Sequence, residues 1–309
     1  MAATTLIQTA HKIFSLKGVF PAITTPFNDK QEVYYNKLHD NLQYYEKLPF
    51  SGYLISGSNG EVAAMTIDER LQVLRNVRQS IDPRRMIIAN AYCESTRQCC
   101  ELAKTLARHG ADAILVMIPF YHRRSLSEEA VLAHFRVVAD SSPVPVIIYN
   151  NPGVTGMDIS VDTIIKLAEH PNIKGVKDGD VAKIASIIKE VRIRGFDFEV
   201  SQGAVGYFLQ SLVVGASGAI AALPNILGRE VCHLYQLYKD GKIDDASNLQ
   251  LKLTRIDELL KLSNLGVAGM KGALDVVGLY GGPCRLPLQP LPPQQLKRIR
   301  DALVEEDLL

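Results

Sequence analysis

Along the chain, short runs of consecutive apolar residues alternate with longer stretches in which apolar side chains recur every three or four positions. A strand with one wet face would alternate polar and apolar residues, so the continuous runs read as strands buried on both faces. They fall at residues 19–24, 53–56, 86–89, 113–117, 145–149, 173–177, 198–201 and 218–221. The stretches between them predict helices over 34–47, 68–80, 95–109, 127–139, 160–169, 181–194 and 204–214. Thr66 with Glu69 three positions on fits a capping box, and Gly110 after His109 fits a glycine stop.

Eight strand–helix units within about 220 residues, with no break in composition, predict a closed (β/α)8 TIM barrel over an open doubly wound sheet. No Gly-x-Gly-x-x-Gly follows the first strand, which weighs against a dinucleotide-binding fold. Beyond the eighth strand the pattern is wholly helical, at 227–239, 243–263, 268–279 and 292–305. The first of these is expected to complete the barrel and the others to form a C-terminal helical appendage. The expected organisation is an N-terminal extension at 1–17, the barrel at 18–240 and a helical region at 241–309. No linker rich in Gly, Ser or Pro precedes that region, so it is expected to pack directly on the barrel. The proline-rich stretch 287–293 reads as a rigid turn.

Composition changes this picture little. With 47% hydrophobic and 22% charged residues the chain can fill an ordinary core. A formal net charge of +1 does not point to nucleic acid or anionic lipid as a partner, and no apolar run is long enough to span a membrane. The five cysteines are odd in number and lack a Cys-x-x-Cys spacing, and the histidines are scattered singly. Reduced thiols in the cytoplasm are expected, and no zinc site. The first 18 residues lack acids and carry His11, Lys12 and Lys17 but no arginine. A frayed extension is expected there, with a mitochondrial targeting segment as the second reading.

The active site of such a barrel lies at the C-terminal ends of its strands. That rule selects Gly57-Ser58-Asn59-Gly60-Glu61 after the second strand and Pro119-Phe120-Tyr121 after the fourth. It also selects Tyr149 at the end of the fifth, Lys177 at the end of the sixth and Gln202-Gly203 after the seventh. A lone lysine at a strand end is ordinarily a solvated surface residue. Where the core meets a loop mouth, however, desolvation favours the neutral amine, a nucleophile for carbonyl compounds. With Tyr149 one strand away the set suits Schiff-base chemistry on a 2-oxo acid. Lys177 would attack the ketone, the iminium would draw electrons from the neighbouring carbon–carbon bond, and the phenol would shuttle protons. The open backbone N–H groups of the 57–60 turn, with Ser58 and Asn59, suit a substrate carboxylate. The secondary reading of Ser58 is a helix N-cap, and that of Tyr121 a loop aromatic at a subunit contact. Glu61 is expected to brace its own loop or a helix N-terminus, and Cys99 and Cys100 to be half-buried and inert. No metal or cofactor is expected, because the imine on Lys177 is itself the electron sink.

Four segments stand in order on these strand ends: Thr24-Thr25-Pro26-Phe27, Gly57-Ser58-Asn59-Gly60-Glu61, Tyr149-Asn150-Asn151-Pro152 and Gly175-Val176-Lys177-Asp178. Together they resemble the dihydrodipicolinate synthase/N-acetylneuraminate lyase family, from about residue 18 to residue 288. The resemblance implies a class I carbon–carbon lyase or aldolase acting on a pyruvate-type 2-oxo acid. Lys177 takes the place of the Schiff-base lysine and Tyr149 that of the proton relay, joined by Ser58 and Tyr121. Asn59 falls beside the pyruvate carboxylate, and Gly203 and Ile220 match positions that line the pyruvate pocket. In tetrameric members the tyrosine matching Tyr121 comes from a neighbouring subunit, so a homo-oligomer, dimer or tetramer, is implied.

Within the family, members that make dihydrodipicolinate carry an arginine two residues past the proline of the 149–156 loop. Here that position is Val154, which cannot grip a carboxylate as a guanidinium does. The 57–61 loop, Lys177-Asp178 and Tyr280-Gly281-Gly282-Pro283-Cys284-Arg285 look most like 4-hydroxy-2-oxoglutarate aldolase, whose products are pyruvate and glyoxylate. Its distal carboxylate would find charge at Arg123 or Arg124, just beyond Tyr121. The alternatives are a 2-keto-3-deoxy sugar-acid aldolase, served by polar neighbours such as Asn151 and Thr155, dihydrodipicolinate synthase proper, and a non-catalytic 2-oxo-acid-binding barrel. The last would have no use for the nucleophile.

Overall fold

A computed structural model describes residues 13–262 and 265–309. Eight parallel strands form one sheet: β1 (Gly18–Pro21), β2 (Gly52–Ile55), β3 (Met86–Asn90), β4 (Ala113–Met117), β5 (Val146–Tyr149), β6 (Ile173–Asp178), β7 (Glu199–Gln202) and β8 (Gly218–Ala221). Their order is β1-β8-β7-β6-β5-β4-β3-β2. The seam between β1 and β2 is bridged at Ala22 and Leu54 and by the Ile23 N–H to the Leu54 carbonyl at 3.0 Å. The barrel is therefore nearly closed, as the eightfold pattern predicts.

Around it run α1 (Tyr35–Tyr45), α2 (Ile67–Ser80), α3 (Thr96–Arg108), α4 (Glu128–Ser141), α5 (Pro152–Thr155), α6 (Val161–Ala168), α7 (Val181–Arg194), α8 (Phe208–Val214) and α9 (Pro224–Lys239). The C-terminal part comprises α10 (Ile243–Leu262), α11 (Gly266–Val276) and α12 (Pro293–Glu305). The Thr66/Glu69 capping box forms as expected. Two details differ from the pattern. The four-residue α5 follows β5 directly, and the helix expected at 204–214 begins with a 3-10 turn at Val205–Tyr207. No helix among the described residues is long and apolar enough to cross a membrane.

Strand residues alternate between two cores, because successive side chains of a strand point to opposite faces. On β4, Ile114 and Val116 pack outward against the helices, while Ala113, Leu115 and Met117 point into the barrel. Tyr149 follows Ile147 on the inner face of β5. On β6 the alternation is broken. Val146 pairs with Ile173 but Ile147 pairs with Gly175, so Lys174 is an extra residue that bulges out of register. Ile173 and Val176 both face outward, while Gly175 lies against Leu16 inside the barrel. The bulge thus turns Lys177 to the inner face.

The expected N-terminal extension needs a correction. Residues 1–12 lie outside the described residues, but 13–17 do not fray. Leu16 is fully buried in the barrel interior with Phe14 packed beside it, and its N–H donates to Glu199 Oε2 at 2.9 Å. An apolar plug here fills the floor that the inward side chains of eight strands leave open.

At the opposite end, α10 clamps the loop after β7. Asp257 accepts the Gly206 N–H at 2.8 Å, and Gln250 accepts the Leu209 N–H at 2.8 Å and donates to the Val205 carbonyl at 2.9 Å. The C-terminal helices therefore pack on the rim that carries the candidate chemistry.

Candidate active site

Lys177 is 4% exposed, at the inner C-terminal end of β6. The parallel register sets it opposite Tyr149 on one side and Ser201 on the other. Its Nζ lies 4.1 Å from the centroid of the Tyr149 ring, within cation–π range. Gly203 keeps the lysine stem free: a Cβ there would sit 3.3 Å from Lys177 Cε and 3.2 Å from the Asp178 carbonyl. Ile220 is fully buried on the inner face of β8.

The Tyr149 hydroxyl accepts a hydrogen bond from Asn151 Nδ2 at 2.7 Å, and Ser58 and Lys177 lie close enough to favour its phenolate form. Burial alone would raise the pKa of this phenol. The Lys177 charge, with the polar groups of Ser58 and Asn151 beside the hydroxyl, outweighs burial and brings it below its ordinary value of 10.0. Ser58 caps neither the 3-10 turn at Val62–Ala64 nor α2, whose N-cap is Thr66, and its hydroxyl lies near Tyr149.

The turn that carries Ser58 has an unusual frame. Ser56 and Glu61 hold left-handed backbone, at φ 49° and 56°. The Gly60 and Glu61 N–H groups are taken by the Gly57 and Ser58 carbonyls at 3.0 and 3.1 Å, and Thr25 Oγ1 bonds the Gly60 carbonyl at 2.8 Å. Among the described residues, the Ser58 and Asn59 N–H groups have no acceptor. Two adjacent free amides beside a hydroxyl suit an anion such as a carboxylate.

Glu61 does brace its loop, through partners that local reasoning missed. Its Oε1 lies 2.5 Å from Lys271 Nζ on α11, and Oε2 accepts the Arg285 N–H at 2.8 Å. Lys271 also donates to the Pro283 carbonyl at 2.7 Å and sits 4.4 Å over the Phe27 ring. Burial pushes the Lys271 pKa down despite Glu61 beside it. Arg285 forks onto Glu69 at 2.5 and 2.7 Å, and this holds the Glu69 carboxyl down at about 2. Arg285 belongs to a segment that sequence reasoning marked; nothing local distinguishes Lys271 from any lysine on an amphipathic helix.

The loop after β5 is pinned from beneath. Asn150 Nδ2 donates to Asp158 and Asp178 at 2.7 and 2.8 Å, and its Oδ1 accepts the Ile159 N–H at 3.1 Å. Val154 is 45% exposed on α5. Exposed Arg123 lies across the same loop, with Nε 3.1 Å from where a Cβ on Gly156 would stand. Arg124 is exposed on the same 3-10 turn. Tyr121 is not brought to Tyr149 within this chain. It is 78% exposed, with its ring edge-on to His122 and its N–H held by Glu94 at 2.9 Å. A Tyr92–Phe120 stack, with centroids 5.4 Å apart, borders the inner core at the same mouth. Cys99 and Cys100 are buried more deeply than expected. No group of three or more His, Cys, Asp or Glu side chains among the described residues is placed to hold a metal ion.

Comparison with known proteins agrees with this geometry. The dihydrodipicolinate synthetase family profile matches residues 15–306. The 4-hydroxy-tetrahydrodipicolinate synthase of Natronomonas pharaonis is 33% identical over 290 residues, covering 93% of this chain and 97% of the relative. A probable mitochondrial 4-hydroxy-2-oxoglutarate aldolase of Emericella nidulans is 32% identical over 295 residues, covering 93% and 94%. Among solved structures, YagE of E. coli K12 in complex with pyruvate superposes with a TM-score of 0.90 at 26% identity, covering 95% of this chain and 99% of that one. Dihydrodipicolinate synthase DapA-2 of Bacillus anthracis superposes with a TM-score of 0.88 at 28% identity, covering 94% and 99%.

Proposed function

Since the chain belongs to the dihydrodipicolinate synthetase family, a family of carbon–carbon lyases, we propose that it is a Schiff-base aldolase cleaving 4-hydroxy-2-oxoglutarate or a close analogue to pyruvate and glyoxylate. The observation that carries this reading is the buried Lys177 side chain, its Nζ over the Tyr149 ring, with Asn151 bonded to the Tyr149 hydroxyl and Ser58 beside it. The Lys177 amine adds to the C2 ketone and water leaves, giving a protonated imine. Tyr149 as phenolate takes the C4 hydroxyl proton, the C3–C4 bond breaks, and its electron pair neutralises the iminium as an enamine. Glyoxylate departs, C3 is protonated, and water hydrolyses the imine to release pyruvate and restore the lysine.

The Ser58 and Asn59 amides are assigned to the C1 carboxylate and Arg123 to the distal one, with Gly203 and Ile220 walling the pyruvate moiety. No cofactor is assigned, since the imine accepts the electrons. Tyr121 is assigned to the site of a second copy in a homo-oligomer, consistent with its exposed ring. The polar neighbours expected for the sugar-acid alternative are partly engaged elsewhere. Asn151 is engaged on the Tyr149 hydroxyl, and buried Thr155 bonds the Asn151 and Met157 carbonyls. Synthase activity is the second reading, favoured by the name of the Natronomonas relative and opposed by Val154.

The test is incubation with pyruvate and borohydride followed by mass measurement of the intact and digested protein. It is paired with a pyruvate-release assay over 4-hydroxy-2-oxoglutarate and 2-keto-3-deoxy sugar acids, and a condensation assay with aspartate semialdehyde. An adduct on Lys177 and fastest release from 4-hydroxy-2-oxoglutarate are expected. No adduct, or one that persists in Lys177→Ala, overturns the mechanism; an adduct without turnover of any substrate identifies a binder instead.

A further inference from the structure

The C-terminal helices reach the candidate carboxylate site through one ion pair with no access to water. Glu61 and Lys271 side chains are each 1% exposed. Glu61 ends the Ser58 turn in left-handed backbone, a conformation that a non-glycine residue holds only where its surroundings impose it. Both of its carboxylate oxygens are committed, one to Lys271 and one to the Arg285 N–H. Lys271 is fixed in turn by the Pro283 carbonyl and the Phe27 ring. Arg285 adds a second tether, bonding the Ala64 carbonyl at 2.8 Å just beyond the turn and lying 4.3 Å over the same Phe27 ring. A buried ion pair adds little net stability over an apolar pair of similar volume, but removing one partner leaves an uncompensated buried charge.

We infer that Glu61, Lys271 and Arg285 are positioning residues for the 2-oxo acid carboxylate, making the C-terminal region part of the active site. This rests on the aldolase reading above. The three residues hold the turn so that the Ser58 and Asn59 amides stay unpaired and the Ser58 side chain stays beside Tyr149. None of the three touches the substrate. Without the pair the turn relaxes toward ordinary backbone, and the amides leave the carboxylate position while Lys177 remains intact.

The experiment uses full-length Glu61→Gln, Lys271→Met and the double variant. Each is assayed for thermal midpoint and for borohydride trapping across a range of pyruvate concentrations. Lys271→Met strands a buried carboxylate and lowers the midpoint; the double variant, with neither charge, recovers it. The inference expects half-saturating pyruvate in the double variant to stay about a hundredfold above wild type, the penalty of roughly 1 Å of misplacement. At saturating pyruvate its trapped fraction should equal that of wild type. Recovery of trapping together with the midpoint would show a purely structural pair and overturn the inference, as would wild-type half-saturation in all variants. Should the double variant not fold, Glu61→Gln decides by the same criterion, because it keeps the chain length and an acceptor for the Arg285 N–H. Absence of trapping in the wild type refutes the aldolase reading itself, and this inference with it.

Discussion

Replacing Tyr149 by phenylalanine removes one oxygen from the site and leaves the ring 4.1 Å beneath Lys177 Nζ. The cation–π contact and the packing against the inner core survive, so imine formation should survive as well. The change deprives Asn151 of its acceptor and Ser58 of a polar neighbour. Stranding a buried donor costs about 1–3 kcal/mol, and because both partners are half-buried and can recruit water, the lower end applies. Catalysis should suffer far more, since a positioned general acid–base contributes about 10²–10⁴ in rate, or about 3–5 kcal/mol of barrier. The assay combines steady-state pyruvate release with borohydride trapping at saturating pyruvate. The expected result is an unchanged trapped fraction, kcat lower by about a hundredfold or more, and KM altered by less than about tenfold. A variant whose kcat stays within about threefold of wild type refutes the relay role. Loss of trapping with Lys177 intact would instead assign the hydroxyl to imine formation.

Two further substitutions probe the surroundings. Gly203→Ala places a methyl 3.3 Å from Lys177 Cε, so trapping and turnover should both slow while stability falls by no more than about 1–3 kcal/mol; unaltered trapping rates would show that the lysine stem has room to spare. His134, buried between α3 and α4, has its pKa pushed down to about 4 by burial, against partial compensation from the Met117 backbone and Glu94. Between pH 6.5 and about 4 the unfolded chain therefore binds a proton that the folded chain refuses, so stability falls as pH drops through that window, by up to about 3 kcal/mol. Thermal midpoints measured against pH should show this slope in wild type and a shallower one in His134→Gln; parallel curves refute the assignment.

The eight strands were legible because a parallel sheet covered on both faces needs continuous apolar runs, and few other arrangements do. Once the strands are counted, the rule that barrel chemistry lies at their C-terminal ends selects Lys177, Tyr149 and Ser58 from local sequence alone. The fate of individual side chains at the rim was less legible. Ser58 suited a carboxylate loop and also a cap until the structure placed the helix caps elsewhere and its side chain near Tyr149. Leu16 sat in a stretch expected to fray, because a plug is recognisable only against the cavity it fills.

What the chain pattern determined by itself is the barrel, its helical C-terminal region and the residue types on the catalytic rim. Periodicity and residue chemistry are local properties, and each can be read within a window of a few turns or strands. Tertiary structure decided the face on which each of those residues lies and what holds it there. Strict alternation puts Lys177 on the same side as Ile173, which points outward; only the bulge at Lys174, set by pairing with β5, brings the amine inside. The pairing of Glu61 with Lys271 is likewise a fact of packing. Charges so far apart in sequence become a site only when the fold removes water from both.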